Sequence, residues 1–233
     1  MNLIDEILNL VQEIQNTWQR FVNLVNGALS SVPVFLQWVI DSVNRLWEQV
    51  VQMWNDFWEG VSDFLSRFGD PGAVATASAG WTSMVSQPAG EVAATVTTGQ
   101  LSADDDAWSG DAATKYRTRA GEQQATISAI RDEVATKVVA ALDGMKLAMF
   151  VFYGALIAAI LALIGAIIGG LASSATIVGI PAGIVIIIGA GAIAIGAIVV
   201  AGMVFSGTAD QRAGEMRSAI TSAKVTSWPE FVV

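Results

Sequence analysis

LAMFVFYGALIAAILALIGAIIGGLA, residues 147–172, and IVGIPAGIVIIIGAGAIAIGAIVVAGMVF, residues 177–205, decide how this chain is read. From Leu147 to Ala209 there is no Asp, Glu, Lys or Arg. Each half exceeds the ~20 apolar residues that carry a helix across a bilayer core. Between them Ser173, Ser174 and Thr176, then Gly179 and Pro181, form a short polar break beside helix-stopping residues. The pattern predicts a transmembrane helical hairpin. A hairpin buried in a large soluble core is the alternative, and a chain of this size has little room for one.

Small residues recur inside the hairpin. Gly154, Ala158, Ala162, Ala166, Gly170 and Ser174 follow one another every four residues. They predict a ridge along which helices approach closely in lipid. Ala190, Ala194, Ala197 and Ala201 offer an opposing surface.

Composition narrows the function classes. Apolar residues make up 53% and charged residues 14% of the 233, the balance of a membrane protein. The net charge of −9, with no basic run, argues against nucleic acid as a partner. There is no cysteine and no histidine, which removes thiol chemistry, disulfides, the usual proton shuttle and the commonest metal ligand. Met1 is followed by Asp5 and Glu6 rather than by a basic and then an apolar run, so no signal peptide is expected.

Residues 1–70 predict a Trp-rich pair of amphipathic helices. In the first, Leu3, Ile7, Leu10, Ile14, Thr17, Phe21, Leu24 and Ala28 alternate spacings of four and three. Ile4, Val11, Trp18 and Val25 run beside them every seven residues. Asn2 is the expected N-cap. The second helix starts at Pro33 and repeats the pattern with Leu36, Val39, Val43, Leu46, Val50, Met53 and Phe57, flanked by Ile40, Trp47, Trp54, Val61 and Phe68. Two adjacent seams can serve two neighbours. One use is packing within the chain. The other is assembly with further copies, for which Trp18, Trp47, Trp54 and Val61 are the expected seam. The polar faces are acidic, with nine Asp and Glu against three Arg through Asp70, so adsorption to anionic lipid is disfavoured.

Residues 71–146 predict two helical arms. The first, near 73–101, is weak; Pro88 interrupts it and Val92 and Val96 are its best apolar pair. The second begins near Asp111, carries Tyr116, Ala120, Gln123, Ile127, Ile130, Val134, Val138 and Ala141 at helical spacing, and runs on toward the membrane helix with no strong stop, Gly144 being the one place for a kink. Between the arms stands Trp108-Ser109-Gly110, then Ala112, Ala113 and Tyr116. Glycine permits a tight reversal, Trp108 can cap the hairpin core, and small residues bring the arms together.

The string WSGDAATKY resembles the W-x-G (WXG) family of type VII secretion substrates, closest to the larger Esp-type substrates that combine the motif with an apolar segment. The resemblance covers residues 73–145. It implies that Trp108 and Gly110 shape the turn and that Tyr116 packs on the opposite arm. It also implies self-assembly and a membrane-associated role in export or virulence. Neither Tyr116 nor Tyr153 has an acid four residues on, where the family places its export signal. A partner substrate is then expected to supply it.

Catalysis finds no support. No histidine accompanies the serines, the paired carboxylates lie on acidic helix faces, and Gly189 and Gly191 lack the context of a phosphate loop. Asp104, Asp105 and Asp106 lack the alternating ligand spacing of a calcium loop and read as solvated turn residues. No metal and no cofactor are expected. The last segment, 208–233, predicts a short polar helix with Arg212, Arg217 and Lys224, then an aromatic tail from Trp228.

The expected protein is all-α: the helical pair 1–70, the WXG-like hairpin 71–146, the membrane hairpin 147–207 and the polar tail. Its expected role is a non-enzymatic, self-assembling, membrane-associated substrate or accessory of a type VII-like system, in the cell membrane or secreted and inserting. The lipid bilayer and further copies of itself are its partners. A pore-forming effector and a general membrane scaffold are the alternatives. The hairpin offers a lumen only Ser173, Ser174 and Thr176, so a pore would have to be lined by the amphipathic helices.

Overall fold

A computed structural model describes residues 3–67, 69–97, 99, 108–222 and 225. Among them the chain is all-α and contains no strand. The helices are α1 (Leu3–Leu29), α2 (Gln37–Arg67), α3 (Pro71–Trp81), α4 (Gln87–Thr95), α5 (Asp111–Ala129), α6 (Thr136–Ser173) and α7 (Ile180–Ser222). The expected N-cap Asn2, Phe68, the Asp104–Asp106 run, Lys224 and the aromatic tail lie outside the described residues. The chain divides into two compact units, Met1–Phe68 with Phe150–Phe205, and Gly69–Met149 with Ser206–Val233.

In the first unit α1 and α2 run antiparallel, fixed by ring contacts. Trp18 stacks on Trp54 at 4.3 Å between centroids and Phe21 on Trp47 at 6.4 Å. Ile7, Leu10, Ile14, Thr17 and Phe21 are buried as the four–three spacing predicts; Val25 then replaces Leu24. On α2, Val39, Val43, Val50, Met53, Phe57 and Val61 are buried. Burying each such side chain contributes about 1.5–3 kcal/mol.

The apolar hairpin belongs to the same unit. Its helices bury Phe152, Leu156, Ile160, Leu163 and Ile167 on one side and Ile180, Ile184 and Ile187 on the other. Phe152 meets Phe205 edge-on at 6.1 Å. Helix α2 lies on α7: a Cβ built on Gly191 would collide with Met53, with its Cγ only 2.6 Å away.

In the second unit, Asp70 caps α3 by accepting from the Gly72 N–H at 2.7 Å, and Pro71 takes the first helical turn. The expected break at Pro88 is absent. A π-helical turn, Thr82–Ser86, precedes it, and the Gln87 N–H bonds to the Thr82 carbonyl. Proline lacks an N–H and clashes with the carbonyl four residues back; the wider turn relieves both. The opposite arm carries its own π turn, Ile130–Ala135, whose freed Arg131 carbonyl accepts from both the Thr136 N–H and its Oγ1.

The arms run antiparallel. Ser78 Oγ donates to Asp143 at 2.9 Å, and Gln124 Nε2 donates to the Ala93 carbonyl at 3.2 Å. The first arm buries Ala93, while Val92 is exposed, contrary to expectation. Helix α6 runs unbroken through Gly144. Arg212 lies on this glycine, with Nε 2.6 Å from where a Cβ would stand. The polar segment after Asp210 continues α7 rather than starting a helix of its own.

Candidate functional site

Three places carry the functional reading: the tip of the apolar hairpin, its exposed flank, and the turn at Gly110. The tip begins where α6 ends at Ser173. Ser173 Oγ donates to the Gly169 carbonyl, and Thr176 Oγ1 accepts from the Gly179 N–H at 3.2 Å. The polar break therefore satisfies helix-end groups rather than presenting them outward. Just inside it the two helices touch at backbone level. A Cβ on Gly183 would stand 2.5 Å from the Gly170 carbonyl oxygen and would also strike Ser174 Oγ. The buried Ser174 hydroxyl has no hydrogen-bond partner and packs against this glycine.

The predicted ridge is only partly used. Gly170 packs at the tip, and Ala166 is half-buried; Gly154, Ala158 and Ala162 are exposed. The physical reason is the competing stripe of Leu156, Ile160, Leu163 and Ile167. Larger side chains bury more apolar area and take the inward face. Between the two hairpin helices the backbones approach closely at Gly170 and Gly183.

The flank of the hairpin is open. Only 44% of the most apolar stretch of the first long helix is buried, and 28% of the second. Ile168, Val185, Ile193, Val199, Val200 and Met203 are among the exposed side chains, Ile193 at 75%. A core helix of a soluble protein is mostly buried; these are not. Both helices are long and apolar enough to span a membrane.

The expected assembly seam is turned inward. Trp18, Trp47 and Trp54 join α1 to α2, and Val61 is fully buried. The structure uses these residues within the chain.

At the W-x-G turn, Gly110 has φ 103° and ψ −177°, the one positive φ among the described residues. That region is essentially restricted to glycine. Gly110 precedes α5, and its carbonyl accepts from the Thr114 N–H at 3.1 Å. Arg117 donates to the Trp108 carbonyl at 3.0 Å. Trp108 does not cap a core. It is 39% exposed, and the ring of Tyr116, 37% exposed, meets it at 5.4 Å. The two rings hold the turn locally, while Ala113 and Ala120 bring the arms together.

Among the described residues, ion pairs outside the hairpin lie at the surface, Arg212 being half-buried. Arg212 holds Glu215 at 2.8 Å, and hydrogen bonds from Arg212 and then Gln211 keep the Glu215 carboxyl below its ordinary range. The guanidinium of Arg131 does the same to Asp132. Among the described residues no group of three or more His, Cys, Asp and Glu is placed to hold a metal. No protein-family model, curated protein or solved structure matches this chain.

Proposed function

We propose that this protein is a non-enzymatic, self-assembling membrane protein that serves as a substrate or accessory of a type VII-like secretion system. The observation that carries the membrane part is the apolar hairpin whose flank stays open after the chain has packed. Exposed Ile and Val on that scale need either lipid or further copies. Lipid supplies no hydrophobic drive between helices, so the exposed Gly154, Ala158 and Ala162 face is available for close packing of copies within the bilayer. The secretion part rests on the WSGDAATKY string and the glycine-only backbone at Gly110.

The positive charges flank the open end of the hairpin, at Lys137, Lys146, Arg212 and Arg217, and none lies at its tip. Insertion in the producing cell therefore leaves the open end in the cytoplasm. The test is alkaline extraction of membranes, cross-linking in mild detergent, and comparison of a producing bacterium before and after its type VII system is inactivated. Expected are carbonate-resistant membrane association, cross-linked multimers, and loss of any extracellular pool on inactivation. A protein that stays soluble and monomeric contradicts the membrane part. Export unaffected by the inactivation contradicts the secretion part.

A further inference from the structure

The Trp-rich pair and the hairpin are parts of one unit, and this fixes where polar groups go when the hairpin enters lipid. Gly191, pressed on Met53, lies roughly 16 Å along α7 from Ile180 at 1.5 Å per residue. That is about the middle of a ~30 Å hydrocarbon core. At the same level a groove of about 480 Å³ runs between α2 and α7, with Glu48, Gln52 and Asp56 on one wall and Ile188, Ala192 and Ile195 on the other. An inserted hairpin that keeps its partner helices therefore carries carboxylates to mid-membrane depth. Charged side chains there turn away from lipid, toward a protein interior or a water-filled cavity.

The helices are built for that. At 27 and 31 residues, α1 and α2 are about 40 and 46 Å long, enough to cross. Every Asn and Gln on them is exposed, and neither contains a lysine. Glutamine amides donate along the helix, Gln19 to Asn23 Oδ1 at 3.0 Å and Gln52 to Asp56 Oδ1 at 2.6 Å. The face is wettable at a low density of charge, and what charge it has is mostly negative.

The other course, in which α1 and α2 leave the hairpin for the lipid surface, is unfavourable. It uncovers Met53, which packs on Gly191, and sends an acidic, lysine-free pair to a surface that suits basic helices. One copy encloses no channel, since its interior is filled by Phe21, Phe57, Leu156 and Ile187.

We propose that the four helices insert together and that several copies enclose a water-filled, cation-passing conduit, walled by the polar faces of α1 and α2 and jacketed by the apolar hairpin. This rests on the membrane reading above, and the test separates the two. The chain has no cysteine, so single cysteines report cleanly. The full-length protein is reconstituted in planar bilayers and, in parallel, in vesicles extracted with alkaline carbonate. Expected are discrete conductance steps that favour potassium over chloride. A water-soluble, positively charged thiol reagent should cut the conductance of Gln52→Cys by more than half and leave that of Ile193→Cys unchanged; both sites are exposed, so neither variant disturbs the core. Combined Glu48→Gln and Asp56→Asn should lower the potassium preference several-fold without reducing insertion. Carbonate-resistant insertion without conductance overturns the conduit and leaves the anchor standing. So does conductance blocked equally at Gln52→Cys and Ile193→Cys. Failure to insert overturns both.

Discussion

In the four-helix unit the side chains removed from solvent include Phe21, Phe57, Leu156, Ile160 and Ile187; in the W-x-G hairpin most are alanines, Ala93, Ala113, Ala120, Ala129, Ala135 and Ala141, with Ile127 and Val138 among them. A buried Phe or Leu contributes about 1.5–3 kcal/mol and a single methyl about 0.8. The first unit is therefore held by area. The second is held by close approach of its arms, by hydrogen bonds such as Ser78 to Asp143, and by the backbone turn at Gly110. Stability within one chain is not uniform, and the alanine-packed arms belong at its low end.

The contrast is broken most severely at an aromatic. Phe57→Ala should cost about 3–5 kcal/mol, read as lowered thermal stability in detergent, because Phe57 is 1% exposed. Next is the tip. Gly183→Ala puts a methyl against the Gly170 carbonyl, which is backbone and cannot swing aside. A loss of about 1–3 kcal/mol is expected, and Gly165→Ala, with open space around it, should be neutral or better.

The Gly110 turn sharpens the comparison. Gly110→Ala should cost about 1–3 kcal/mol through backbone strain alone. Trp108→Ala should cost only about 1 kcal/mol, the scale of one aromatic contact, since its ring is partly solvated. A larger loss at Trp108 than at Gly110 would mean that the ring, not the backbone, makes the turn. Ser78→Ala should cost about 0.5–1.5 kcal/mol and speed hydrogen exchange in α3.

The smallest effect is electrostatic. Glu215 titrates below its ordinary range when folded, so its contribution is present above that range and lost as pH falls through the folded value. Glu215→Gln should be slightly less stable than the parent at about pH 7 and equal to it at about pH 2, small throughout because the pair lies at the surface. Melting curves at the two pH values give the difference.

How much of this was legible differs by region for the same physical reason. Large apolar residues at helical spacing announced α1, α2 and the hairpin, and Ile7 through Phe21 are buried in the expected register. In the second arm Ala120, Ile127, Val138 and Ala141 are buried at the expected spacing, whereas in the first arm apolar periodicity pointed to Val92 and Val96 and Ala93 is what packs. Alanine is common on both faces of helices, so its spacing carries little signal. The π turns were illegible except through Pro88 and Thr136, whose chemistry suits a widened turn. Periodicity could not rank the small-residue ridge against the Leu156 and Ile160 stripe for the inward face; volume can, and it favours the larger side chains. Whether Trp18 and Trp54 meet each other or another copy was open in the sequence, since either use needs the same seam.

The central claim is that the open flank of the hairpin faces acyl chains. It is tested by attaching bimane to Ile193→Cys in an otherwise cysteine-free chain and reconstituting the protein with lipids brominated at mid-chain. Strong quenching at Ile193, greater than with lipids brominated near the headgroup, is the predicted result. Bimane emission unchanged by either lipid would contradict it and leave the hairpin covered by protein.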